Sequence, residues 1–162
     1  MEIRKTKMED LNEVMEIYSR ARQYMKDNGN PNQWVNGYPP EEVVREDILS
    51  GASYLCIEED KTAAVFYFDP QAEDPDYKEI FDGKWLNDEP YGVIHRIAVA
   101  LHKKGVASYC LDWSLNQCGN LKIDTHRDNL PMQAMLEKKG FVQCGIIYTR
   151  DGSERLAYQK IK

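Results

Sequence analysis

A chain of 162 residues, 42% of them hydrophobic, has the size of one domain with its own core, and a single domain over 1–162 is expected. The formal net charge of −6 argues against a dedicated binder of nucleic acid or anionic membrane and leaves any anion to a local basic patch. No apolar run approaches bilayer-spanning length, and the charged start Met1-Glu2-Ile3-Arg4-Lys5 lacks a signal-peptide core, so the expected location is cytoplasmic.

Glu2 to Thr6 reads as a short strand around Ile3, and Thr6-x-x-Glu9 as a capping box for the helix that follows. Leu11, Val14, Met15, Ile17, Tyr18, Ala21 and Met25 recur on one face of that helix until Asn28-Gly29-Asn30-Pro31 ends it. Pro39-Pro40 precedes a second helix, Glu41 to Leu49, with an acidic first turn and Val43, Val44 and Ile48 as apolar contacts. The loop between the helices carries Trp34 and Tyr38, which either pack down as a lid or line a pocket for substrate. Ser53 to Glu58 and Thr62 to Phe68 read as a hairpin around Glu58-Glu59-Asp60-Lys61.

Asp69 to Pro90 is long, irregular and acidic, its eight carboxylates opposed only by Lys78 and Lys84, with Tyr77, Phe81 and Trp85 interleaved. A loop of this length is functional or disordered, and the aromatics argue against disorder. Carboxylates and ring faces both attract cations, so the loop, Trp85 included, suits an amine substrate; a solvated acidic surface pinned by three rings fits the same residues.

Tyr91 to Ala100 is β-branched and apolar apart from His95 and Arg96, as in a strand covered on both faces. The turn His102-Lys103-Lys104-Gly105 opens a helix carrying Val106, Ala107, Cys110, Leu111 and Leu115 at helical spacing. A helix start presents unpaired N–H groups and partial positive charge, so a phosphate or pyrophosphate can sit there. Gly119 ends this helix, Leu121 to Thr125 is another strand, and Asn129 caps a helix with Met132, Met135 and Leu136 as its apolar face. Phe141 to Thr149 and Glu154 to Lys160 form a last hairpin around Asp151-Gly152. Cys56, Cys110, Cys118 and Cys144 show no metal spacing and read as reduced core thiols, so no metal is expected.

Ile97-Ala98-Val99 followed by His102-x-x-Gly105-x-Ala107 resembles the acyl-CoA signature Q/R-x-x-G-x-G/A of the GNAT superfamily of N-acetyltransferases, with His102 where Gln or Arg is usual. Asp124-Thr-His-Arg-Asp-Asn129 and Leu136-Glu-Lys-Lys-Gly140-Phe141 resemble its second motif. The resemblance implies an α+β fold in α/β/α layers, a mixed central sheet flanked by helices, in the order β-α-α-β-β-β-α-β-α-β-β. It also implies that the central strand and the next splay apart to admit pantetheine.

What the resemblance implies for chemistry is acetyl transfer from acetyl-CoA to a primary amine of a small molecule or peptide N-terminus by direct attack. Ile97, Ala98 and Val99 would flank pantetheine, with an N–H near Val99 facing the oxyanion. His102, Lys103, Lys104, Gly105, Val106, Ala107 and Ser108 would hold the pyrophosphate, and Asn129 would reach the pantetheine region or serve as a helix cap. Histidine titrates near neutral pH, which makes His95 a candidate base, with His126 a second and Asp124 or a loop carboxylate a third. Many members carry a Tyr general acid where Leu136 stands, so Tyr148 or water is left to protonate the thiolate. That departure keeps open a catalytically silent acyl-CoA-binding module, a sensor or interaction subunit. A nucleotide-binding reading is weaker, because the Walker pattern is missing. The expected partner is the amine, with neither nucleic acid nor membrane, and the chain is expected as monomer or homodimer.

Overall fold

The computed structural model describes residues 1–102 and 105–162. Strand β1 (Glu2–Lys5) leads into α1 (Leu11–Asp27) and α2 (Glu41–Leu49), and then the hairpin β2 (Ser53–Glu58) and β3 (Lys61–Asp69). The central strand β4 (Gly92–Val99) and α3 (Val106–Cys118) follow, then β5 (Asn120–Thr125), α4 (Leu130–Lys138) and the closing hairpin β6 (Val142–Tyr148) and β7 (Glu154–Ile161). The strands join one seven-stranded mixed sheet in the order β1-β2-β3-β4-β5-β7-β6, antiparallel everywhere except between β4 and β5.

Helices cover both faces. Leu11, Val14, Ile17 and Tyr18 of α1 and Val44 of α2 bury against Leu55, Val65 and Ala98. On the other face Cys110, Leu111 and Leu115 of α3 and Leu136 of α4 meet Phe66, Phe68, Ile94 and Ile123. Leu136 is wholly buried, so the position where a tyrosine acid was sought is part of the core. Three of the four thiols are buried, Cys118 is half-buried, and all four are free. The β2–β3 turn puts Glu59 and Asp60 at φ 50° and 64°, the paired positive φ of a two-residue hairpin loop.

The helix start differs from the sequence expectation. Thr6 Oγ1 lies 2.8 Å from Ser53 Oγ and is spent on that strand, while Asp10 accepts from the Lys7 N–H at 2.8 Å. The cap therefore moves one residue along, and a short 3-10 turn, Met8–Asp10, precedes α1.

Two features position the site. The first is a bulge in β4: Tyr67 pairs His95 and Val65 pairs Ala98, so Phe66 opposes both Arg96 and Ile97, with Arg96 at φ 49°. The extra residue reverses the alternation of side chains, so Val93 and His95 share the α1 face with Ala98, while Ile94 and Ile97 face α3. The second is the segment 70–91, which straps the α1 face. Phe81 pairs with Ile146 on the edge of β6, the Lys84 N–H donates to Cys144 O, and Ala72 N–H donates to Tyr91 O as the strap returns. It also occupies hydrogen-bonding groups on an otherwise open sheet edge.

Candidate active site

Strands β4 and β5 pair only through Gly92↔Leu121 and Val93↔Lys122, then diverge. A cavity of about 790 Å³ lies beside the gap, walled by Ile94–Ile97 of β4, Ile123–Thr125 of β5, Trp34 and Tyr38, the strap at Asp74–Asp76, and the β6–β7 turn. Ala100 N–H donates to Ala63 O across the β3 side. By alternation along an antiparallel strand, the Val99 N–H points the other way, into the gap.

His95 stands on this wall between two carboxylates. Its Nε2 lies 2.6 Å from Asp74 Oδ2 and its Nδ1 3.9 Å from Asp124 Oδ2. Burial works to raise the Asp74 carboxyl, but the hydrogen bond and charge of His95, with the Asp76 N–H and the Arg96 charge, together outweigh it and hold it below its ordinary value. Asp74 reaches this position because its backbone N–H donates to Tyr91 Oη at 3.0 Å, while its Oδ1 accepts from Asp76 N–H at 3.0 Å. Asp124 accepts from Tyr77 Oη at 2.7 Å and sits 3.6 Å from Arg155 Nε. Burial, then the neighbouring Asp124 charge, push the Tyr77 phenol well above its ordinary range, so it stays a donor. Burial, then Asp74 and Asp124, raise the Asp76 carboxyl, which lines the same cavity.

Arg96 next door is committed to structure. Its guanidinium makes a two-pronged contact with Asp47 at 2.9 and 2.8 Å, donates to Tyr38 Oη at 3.0 Å, and lies 4.7 Å from the Tyr67 ring centroid. Burial opposes its charge, and Asp47 with Tyr38 more than offsets that, so it stays protonated. Tyr38 thereby lines the cavity as a clamp on Arg96, and Trp34 packs edge-on against Tyr18 and Tyr38 at the same wall.

The other anticipated residues divide by location. Ile97 and Asn129 line the cavity. Asn129 accepts from Met132 N–H as the α4 cap and donates its amide to Gln33 Oε1 at 3.1 Å. Ala98 is buried against α1, and Val106 against the sheet. Gly105 begins α3 at φ 93°, and among the described residues beyond its chain neighbours none lies within 4 Å of where a Cβ would stand. Tyr109 N–H donates to Gly105 O at 2.9 Å, the bond that sets Gly105 as the N-cap of α3. His102 stacks on Tyr24 of α1, ring centroids 4.3 Å apart. Lys103 and Lys104 lie outside the described residues.

Three candidates sit away from the cavity walls. Trp85 donates its indole N–H to Tyr77 O and lies 4.1 Å from Lys122 Nζ, pinning the strap to β5. His126 accepts at Nδ1 from Asp128 N–H within its own turn, and burial lowers its pKa. Tyr148 is exposed, packing edge-on against Phe81. Asp74 and Gln33 carry more of the site than the sequence suggested. Gln33 accepts from Asn129 and its carbonyl from Arg155, tethering the α1–α2 loop to the far side of the gap. Asp74 was one acid among eight, and Gln33 carried no signal in a polar loop.

A mixed sheet that opens between β4 and β5 beside a strand-to-helix corner has the layout of the acetyltransferase class of fold. The fit to an acyl-CoA is borne by the β4–β5 gap and by Gly105, where no described residue beyond its chain neighbours lies within 4 Å of a Cβ. Among solved structures, an acetyltransferase of the GNAT family from Streptococcus agalactiae 2603 is 32% identical, with TM-score 0.91 over 99% of this chain and 95% of its own. A GNAT-family acetyltransferase from Listeria monocytogenes 4b F2365 is 18% identical (TM-score 0.73, 99% and 94% covered), and shares the fold. So does a ribosomal-protein-alanine N-acetyltransferase from Brucella melitensis, 16% identical with TM-score 0.61 over 100% of both chains. No family model and no curated protein matches the sequence. The chain belongs to the GNAT family and is an N-acetyltransferase enzyme. The silent-module alternative is not favoured. Among the described residues no helix is long and apolar enough to cross a membrane, and no group of three or more His, Cys, Asp or Glu is placed to hold a metal.

Proposed function

We propose that the chain, acting as one domain in the cytoplasm, uses acetyl-CoA to acetylate a primary amine of a small molecule or a peptide N-terminus by direct attack. The observation that carries this reading is His95, held between Asp74 and Asp124 on the wall of the cavity beside the β4–β5 gap. The donor supplies an acetyl group already activated as a thioester. The amides of Val106, Ala107 and Ser108 with Gly105 would take the diphosphate at the helix start. Ile97 would flank the pantetheine arm, and the Val99 N–H would face the carbonyl oxygen as it gains charge. The acidic cavity wall draws an amine in as its cation, His95 takes one proton to free the lone pair, and the second proton, shed once the nitrogen is acylated, passes to water. The amine's lone pair forms the C–N bond as the C–S bond breaks. The thiolate leaves with that electron pair and takes its proton from water, a tolerable exit for a thiol of pKa about 8.5.

The test is release of free CoA thiol from acetyl-CoA across a panel of primary amines and peptide N-termini. Turnover with at least one acceptor, reduced by roughly 10²- to 10⁴-fold in His95→Ala, is expected. Full turnover in that variant would remove His95 as the base. Thiol release with no acceptor in the panel would overturn the proposed amine class.

A further inference from the structure

The candidate base in this site is held by a neighbouring carboxylate on the strap. We infer that Asp74 is a positioning residue: it fixes His95 as the Nε2–H tautomer, so that Nδ1, facing Asp124, is the nitrogen that takes the amine's proton. The inference rests on the acetyl-transfer reading for its purpose, but the geometry beneath it is independent of any substrate.

The assignment follows from donors and acceptors. A carboxylate only accepts, so the nitrogen 2.6 Å from Asp74 Oδ2 carries the hydrogen. In a neutral ring the other nitrogen then holds a lone pair. That nitrogen is Nδ1, and 3.9 Å away is Asp124 Oδ2, a second acceptor already receiving the Tyr77 hydroxyl. One amine nitrogen within about 2.9 Å of each would donate one hydrogen to Asp124 and lose another to His95. The seat is thus a pair of acceptors on the cavity wall, one supplied by β4 and one by β5.

Asp74 is itself oriented. Its Oδ1 accepts from Asp76 N–H and its backbone N–H donates to Tyr91 Oη, so the carboxylate cannot rotate without losing a bond. Because burial is outweighed by His95 together with the Asp76 N–H and the Arg96 charge, the group is held as a carboxylate over the range in which the enzyme would work. The surroundings of the ring are otherwise aromatic or acidic: Tyr67 from β3 and Tyr77 from the strap lie 5.7 and 5.8 Å away, centroid to centroid. Asp76 on the strap and the Asp47–Arg96 pair are further charged groups near it, and Arg155 of β7 lies 3.6 Å from Asp124 on its far side.

This arrangement makes an unusual prediction for Asp74→Asn. The amide oxygen must remain on the Asp76 N–H, which only donates, and so the NH2 group turns to His95 Nε2. A donor facing Nε2 demands a lone pair there and moves the ring hydrogen to Nδ1. Nitrogen-15 NMR of the full-length protein, with long-range imidazole correlations in the neutral ring, reads this directly. The wild type is expected as Nε2–H, Asp74→Asn as Nδ1–H, and Asp74→Glu as Nε2–H. With an acceptor from the thiol-release panel, Asp74→Asn should lower kcat about 10²-fold or more at unchanged KM for acetyl-CoA, and Asp74→Glu should recover most of it. An Nδ1–H wild type, or an Asn variant that keeps Nε2–H, would overturn the inference; so would turnover in Asp74→Asn equal to wild type. If the Asn variant does not fold, the wild-type and Glu tautomers still decide. Failure of acetyl-CoA to bind would sink the transfer reading and leave the tautomer result standing, so the two are distinguishable.

Discussion

Arg96 and Asp47 show how a charge placed in a sheet controls the backbone around it. Arg96 sits at φ 49° in the β4 bulge, its carbonyl receives the Tyr18 hydroxyl at 3.1 Å, and its side chain is clamped by Asp47, itself buried. Removing one partner of a buried pair leaves the other charge without compensation, at a cost of about 3–5 kcal/mol. Asp47→Ala should therefore lower stability by that amount in urea denaturation, while Asp47→Leu combined with Arg96→Met should cost less. Asp74 makes a separate prediction. Its carboxyl is depressed below the ordinary 3.8 in the folded chain, so the stability it contributes is complete above that value and disappears as pH falls through the folded value. Wild type and Asp74→Asn should thus differ in urea midpoint at pH 5, and the difference should shrink below pH 4. A difference that grows on acidification would mean that the carboxylate is not the stabilised form.

The strap is the element that brings Asp74 to His95, and glycines allow it to lie flat on β6. A Cβ at Gly83 would stand 1.9 Å from Cys144 O, and one at Gly145 2.5 Å from Phe81 O, both backbone atoms that cannot swing aside. Gly83→Ala should lift the strap from β6, expose Trp85 and free Asp74 from His95. The measurable results are a red-shifted tryptophan emission and faster amide exchange at Phe81 and Lys84, with exchange in α1 unchanged. Much of the element plan could be read in advance, because α1 repeats its apolar residues at helical spacing and Asp151-Gly152 marks a hairpin. The GNAT resemblance at Ile97–Ala107 anticipated the gap. The strap's course was not legible, since it depends on backbone pairing of Phe81 with Ile146, 65 positions later in the numbering. Nor was the β4 bulge: inserting one residue changes which face His95 and Ala98 share without altering the composition of an apolar run. Thr6 misled as a cap because its rival partner, Ser53, is distant in sequence.

Across the whole molecule the sheet is continuous at one end of the β4–β5 seam and open at the other. Its open end is spanned by the Gln33 contacts to Asn129 and Arg155. A ligand seated in the gap and at the α3 corner would touch both sides of that seam and bind only the folded chain. Such binding adds RT ln(1 + [L]/Kd), about 2.7 kcal/mol at a hundredfold excess over Kd. For a chain of this size each kcal/mol raises Tm by roughly 2–4 °C, so acetyl-CoA at that excess should shift the melt by roughly 5–10 °C. His95→Ala should keep the shift, because the ring faces the strap and the acceptor side rather than the helix corner. Gly105→Val should lose most of it, since a β-branched residue is strained at φ 93° and its side chain would stand at the α3 helix start. ATP at the same concentration should give no comparable shift, for it offers phosphates to the corner but no arm to the gap. A melt unmoved by acetyl-CoA, or moved equally by ATP, would mean that the open seam is not where the donor lies.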